Sequence, residues 1–310
     1  MRKNWLWGLF AIIAAIALVQ TACFNNRNNE QTIAVNEVNL IEPAKAEIIT
    51  PLYETYNGAT EDIINPGVRF IDIATGGEHS FAIGEDGSLW AWGRDRLGNG
   101  TMEASYTPIR IGNDYDWALV SVGWSHAVAI KTDGSLWAWG ANWGGRLGDG
   151  TRIHRDIPVR IGDDFDWVSA SAGSNHTVAI KADGSLWAWG DNDRRALGLG
   201  IGVRYIPTPT QIGTELNWIS VSAGTDNTVA IKTDGSLWAW GDAGIRRAVT
   251  IPIPTRIGTD SNWKFAAAGG GHRVAIKTDG SLWAWGRNEF GDLGDGTTID
   301  RHSPVQITRR

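Results

Sequence analysis

An all-β fold, a β-propeller of five recognisable four-stranded blades, is predicted by three observations. A Trp-rich octapeptide recurs, an apolar run precedes each copy, and no helical period of useful length separates the copies. The octapeptide Asp-Gly-Ser-Leu-Trp-Ala-Trp-Gly begins at Asp86, Asp133, Asp183, Asp234 and Asp279, in steps of 47, 50, 51 and 45 residues. The preceding runs are 80–83, 127–130, 177–180, 228–231 and 273–276.

Each pair of runs predicts a β-hairpin, because Asp-Gly between two apolar segments is a tight-turn signal and glycine tolerates positive φ without steric cost. In the stretch Leu186-Trp187-Ala188-Trp189, Leu and Ala point to one face and both Trp to the other, so both faces are apolar. A sheet with one wet face would alternate with polar residues, so these hairpins need cover on both sides, most simply from neighbouring repeats. Two further strands complete each unit. The first is small and apolar (167–173, matched by 117–123, 218–224, 263–269 and, with Phe for Trp, 70–76), which suits a crowded inner position. The last (157–161, with 108–111, 209–212, 254–257 and 304–307) carries proline, as an edge strand can.

The extended pattern Ala-Gly-x-x-His-x-Val-Ala-Ile-Lys-x-Asp-Gly-x-Leu-Trp-x-Trp-Gly, followed by Asn-x-x-Gly-x-Leu-Gly-Asp-Gly-Thr and Pro-x-x-Ile, resembles the regulator of chromosome condensation repeat, over roughly residues 67–308. The resemblance implies a propeller, usually of seven blades, against five units here. It also implies guanine-nucleotide exchange on a small GTPase and chromatin binding, neither of which suits an exported chain. The fourth unit departs from the others: Asn227 stands where they have His79, His126, His176 and His272, and its following loop lacks Leu-Gly-x-Gly. Three ways of ending the ring follow: a smaller circle, strands supplied from before Gly67, or an open arc.

Upstream of the repeats the chain reads as a leader and a tether. Arg2 and Lys3 precede an uncharged apolar stretch, 5–19, then Thr21-Ala22 and Cys23. Cys23 is the only cysteine, which excludes an internal disulfide and, directly after a signal, resembles the lipidated cysteine of a bacterial lipoprotein. The expectation is a signal at 1–23, cleavage before Cys23, lipid on its sulfur, and export to the cell envelope, with a secreted form as the alternative. Residues 24–66 are expected to be a polar tether, with 33–35 and 47–50 as candidate strands at the ring edge.

Function is expected at the rims. The hairpin end is net acidic, and the formal charge of −6 argues against nucleic acid. The long-loop end mixes arginine with unrepeated aromatics, the side chains enriched at contact surfaces. Candidate partner-binding residues are Trp124, Trp143, Arg146, Arg195, Arg247, Tyr106, Tyr205 and Phe290, with Arg146 at the rim. The repeated histidines are read as structural, since radial symmetry would hold them apart. Gly-Asp-Gly-Thr (148–151, 294–297) is read as turn chemistry, and no phosphate loop or twelve-residue calcium loop is present. No cofactor or metal is expected, and no catalysis. The reading is a monomeric, membrane-anchored binding module for a protein or surface polymer. Its alternatives are a nucleotide-exchange factor and an envelope glycan enzyme. A glycan enzyme would need paired carboxylates, and Asp72 is the only acid on the proposed inner strands.

Overall fold

The computed structural model describes residues 67–200, 202–244 and 249–308. The leader, Cys23, the tether and Arg247 lie outside the described residues. Twenty strands form five antiparallel sheets, each taking four consecutive strands in sequence order, so the expected five blades are present. Blade 1 holds β1 (Phe70–Thr75), β2 (His79–Gly84), β3 (Leu89–Gly93) and β4 (Ser105–Ile111). Blade 2 holds β5 (Trp117–Val122), β6 (His126–Lys131), β7 (Leu136–Gly140) and β8 (Arg155–Arg160). Blade 3 holds β9 (Trp167–Ala172), β10 (His176–Lys181), β11 (Leu186–Asp191) and β12 (Tyr205–Gln211). Blade 4 holds β13 (Trp218–Ala223), β14 (Asn227–Lys232), β15 (Leu237–Asp242) and β16 (Thr250–Arg256). Blade 5 holds β17 (Trp263–Ala268), β18 (His272–Lys277), β19 (Leu282–Gly286) and β20 (Arg301–Ile307).

The Asp-Gly-Ser-x-Trp motif builds its own hairpin. In blade 2 the Gly134 amide donates to Lys131 O at 2.9 Å and Gly134 takes φ +82°, closing a three-residue turn with a glycine bulge. Asp133 Oδ1 accepts from the Ser135 amide (2.9 Å) and hydroxyl (2.6 Å), and Trp137 Nε1 donates to that hydroxyl oxygen at 2.9 Å. The first Trp of each motif is thereby oriented by the turn that precedes it. Lys131 is clamped beside it: its ammonium lies 2.6 Å from Asp114 and 3.0 Å from Asp116, and within 4.8 Å of the ring centres of Trp117 and Trp137. Burial opposes the Lys131 charge, but the two carboxylates outweigh it and hold the ammonium above its ordinary pKa. Blade 3 repeats the clamp with Lys181, Asp164 and Asp166. Acids counted on the hairpin end are therefore already partnered in part.

Blades join through one repeated seam. The face of each sheet bearing the Leu of Leu-Trp-Ala-Trp packs on the next sheet's face bearing the second Trp. Ile130, Leu136, Leu147 and Ile161 of blade 2 meet Trp167, Ala170, Ala179 and Trp189 of blade 3. Four such clusters occur among the described residues, between blades 1 and 2, 2 and 3, 3 and 4, and 4 and 5. Trp139, Trp189 and Trp240 are fully buried in them. A buried indole removes roughly 150–250 Å² from water, worth about 4–6 kcal/mol as an upper bound. The expected inner strands also touch one another, β5 on β9 and β9 on β13. There the spacing leaves no room for a side chain: a Cβ on Gly123 would overlap the carbonyl of Gly173, and one on Gly173 that of Gly224. No helix among the described residues is long and apolar enough to cross a membrane.

Candidate functional site

Loops at the long-loop end are fixed from within. In the β7–β8 connection the Leu147 amide donates to Asn142 Oδ1 at 3.0 Å, while Asn142 Nδ2 reaches Asp149 Oδ1 (3.0 Å) and Ile153 O (3.1 Å). Asp149 in turn pairs with Arg155 at 2.6 Å. Asn288, Asp295 and Arg301 repeat the arrangement in blade 5. The Gly-Asp-Gly-Thr segments thus act as turn scaffolding, as their sequence implied. Among the described residues no three His, Cys, Asp or Glu side chains converge as a metal site.

On this framework blade 2 displays two tryptophans. A single 3-10 turn, Trp143–Gly145, with Gly144 at φ +71°, leaves Trp143 59% exposed and edge-on to His154 at 5.0 Å. Trp124, in the β5–β6 turn, is 53% exposed, and its ring lies against Gly77 of blade 1, where a Cβ would stand 3.2 Å away. Arg146 ties the two loops together. Its Nε donates to Trp143 O (3.1 Å), and its guanidinium reaches Ser125 Oγ (3.3 Å), Ser174 O (2.7 Å) and Asn175 Oδ1 (2.7 Å). Arg146 is therefore buried in the seam between blades 2 and 3, which corrects its expected place at the rim. Two carbonyls and an amide oxygen there need a donor, and only a fork of N–H groups reaches them all. Burial draws its pKa down to about 10, so it stays charged at neutral pH.

Tyr205 stands next to this group: a Cβ on Gly144 would come within 3.2 Å of its ring, and Arg204 lies 4.8 Å from the ring centre. The other candidates are dispersed. Tyr106 is exposed on β4 of blade 1, Phe290 is exposed in the β19–β20 loop beside Arg287, and Arg195, at φ +65°, is half-buried in the β11–β12 loop. Sequence reasoning missed a second set on the hairpin end. Tyr115, Phe165 and Leu216 are exposed at one equivalent position in successive blades, two of them under Arg110 and Arg160. The signal was there in three units: an apolar residue held between polar or acidic neighbours just before Trp117, Trp167 and Trp218.

Two of the repeated histidines, His126 and His176, bridge blades. His126 Nε2 lies 3.0 Å from Thr177 Oγ1, and Thr177 donates to Arg146 O at 2.8 Å. The threonine's one proton goes to the carbonyl, so the imidazole donates from Nε2. Burial, the main cause, holds the His126 pKa well below the ordinary range; it draws His176 to about 3 and His79 to about 4. His272, only partly buried, is lowered in the same direction, again mainly by desolvation. Where Asn227 replaces histidine, its Nδ2 donates to Gly269 O at 3.0 Å. The next blade carries Arg273 in place of the threonine, and that guanidinium is fully buried and bonded to Asp242 O.

Asp72, on β1, faces blade 2. Burial raises its pKa to about 6 against the opposing backbone hydrogen bonds of Val120 and Ile73. It is the only acid on the five inner strands, so those strands do not supply a carboxylate pair.

The RCC1-like domain model matches residues 34–310. No curated protein matches the chain. Among solved structures, yeast RCC1 (Prp20) bound to Kap60 is similar at 22% identity and TM-score 0.71, covering 79% of this chain and 62% of that one. Prp20p from Saccharomyces cerevisiae, described with its binding to Gsp1p and histones, gives 23% and 0.71, covering 79% and 64%. Human WBSCR16 gives 19% and 0.71, covering 81% and 70%. The chain thus spans less than two thirds of the yeast proteins it resembles. At these identities the likeness shows the fold, while the family match covers most of the chain. The chain belongs to the RCC1-like domain family.

Proposed function

We propose that this chain is an exported, lipid-anchored binding module that recognises a protein partner through the long-loop rim of blade 2. One observation carries the reading: two half-exposed tryptophans, Trp124 and Trp143, stand on loops bridged by the buried guanidinium of Arg146. Rigid aromatic surface of this kind loses little entropy on binding and is typical of interface anchors. Tyr205 extends the strip toward blade 3, and Arg204 supplies a rim charge. Solved propellers of similar fold bind proteins: the yeast structures are described with Kap60, Gsp1p and histones. Export and anchoring are supported by the charged, apolar and small-residue order of 2–22 before Cys23.

Affinity capture from envelope extract tests the reading. Full-length chain with Trp124→Ala and Trp143→Ala should lose a partner that the native chain retains, with little change in melting temperature. Retention of that partner would refute the rim assignment. Cys23→Ser should move the chain from the membrane to the soluble fraction; unchanged membrane association would refute lipid anchoring.

A further inference from the structure

Five blades in a closed wheel would make five seams, whereas the described residues make four. Among the described residues no sheet covers two unlike faces. On blade 5, Leu282 is 40% exposed where its equivalents Leu89, Leu136, Leu186 and Leu237 are at 0%. Ile276 and Val274 beside it are also partly open, against full burial of Ile180 and Val178. On blade 1, Phe70 is 38% exposed where Trp117, Trp167, Trp218 and Trp263 are at most 4%, and Ile73 is 40% exposed where Val120 and Val221 are at 2%.

Blade 5 thus offers the Leu-bearing half of the repeated seam, and blade 1 offers the Trp-bearing half. Polar groups agree. His272 stands where His126 and His176 donate to Thr177 and Thr228, and Ser80 stands where those threonines accept. Neither His272 nor Ser80 has a side-chain hydrogen bond of that kind among the described residues. The two halves are complementary, as they are at the four seams within the chain, so a second copy offers each face the surface that it fits.

We propose that copies of this chain associate head to tail, the blade 5 face of one molecule packing on the blade 1 face of the next as blades pack within the chain. The contact joins unlike surfaces, so it yields a ring if the rotation closes and a filament if it does not. It differs from the monomer expected from the sequence.

Light scattering on the full-length chain after size exclusion tests this. The native chain should run as a dimer or larger species. Leu282→Glu and Ile73→Glu should each give a monomer, since one bare face is spoiled in each. An equimolar mixture of the two should regain a dimer and nothing larger, because one intact face of each kind remains. Should either glutamate unfold the chain by circular dichroism, Leu282→Ala and Ile73→Ala replace them, and association should weaken about tenfold or more. A monomeric native chain would overturn the proposal and assign cover to residues of the same molecule. So would variants that keep the native mass, or a mixture that stays monomeric.

Discussion

His176 Nε2 stands 3.0 Å from Thr228 Oγ1, and Thr228 donates to Ala196 O at 2.9 Å. One hydroxyl thus joins a histidine of blade 3 to a loop carbonyl of blade 3 from blade 4. Thr228→Val keeps the shape and removes the hydroxyl, leaving a buried imidazole N–H unpaired, while Ala196 O keeps its bond from Trp240 Nε1 at 2.8 Å. The cost should be about 1–3 kcal/mol by urea denaturation. An unchanged midpoint would show that the bridge contributes nothing.

Acid should unfold the protein earlier than its carboxylates alone require. His79, His126 and His176 have folded pKa values below their unfolded value near 6.5. Below that unfolded value the unfolded chain takes up protons that the folded chain refuses. The histidine contribution is therefore complete above pH 6.5 and declines as pH falls, through about 4 for His79 and 3 for His176. Each histidine adds a slope of about 1.4 kcal/mol per pH unit once its unfolded form is mostly charged. Denaturation between pH 7 and 4 measures it, and His176→Asn should flatten the slope.

Asp72 runs the opposite way. Its folded pKa is raised to about 6 from 3.8, so the folded state is penalised above pH 6 and relieved as pH falls toward 4. Asp72→Asn keeps an oxygen to accept the Val120 amide and removes the charge. It should raise the melting temperature at pH 7.5 and lose that advantage by pH 4. A lower melting temperature at pH 7.5 would contradict the assignment.

Arg146 should behave as a positioning residue. Arg146→Lys retains a charge but not the fork that spans Trp143 O, Ser174 O and Asn175 Oδ1. The expected loss is roughly 2–4 kcal/mol, with two buried carbonyls left short of donors. Hydrogen exchange should rise in the 143–147 loop and at 174–175. Native-like protection there would exclude the role.

Strands, turns and blade order were readable because each rests on chemistry local to one repeat: Asp-Gly for the turn, Leu-Trp-Ala-Trp for two covered faces, proline for the outer edge. The burial of Arg146 was not readable, because its acceptors Ser174 O and Asn175 belong to the following blade. Arg273 left a trace, an arginine in a strand where other units have Ser, Ala or Thr. Its guanidinium reaches Asp242 O of the blade before, whose following loop lacks Leu-Gly-x-Gly. Ring closure depends on the curvature summed over every seam, which no single repeat encodes. That is why the bare face at Leu282 emerged only in three dimensions.

Among the described residues each blade takes its four strands from one unbroken stretch and packs on its neighbours in sequence, so the seams form between units close together in the chain. A nascent polypeptide can settle unit by unit as it is synthesised. Genes built this way can also gain or lose a whole module without redesigning those that remain.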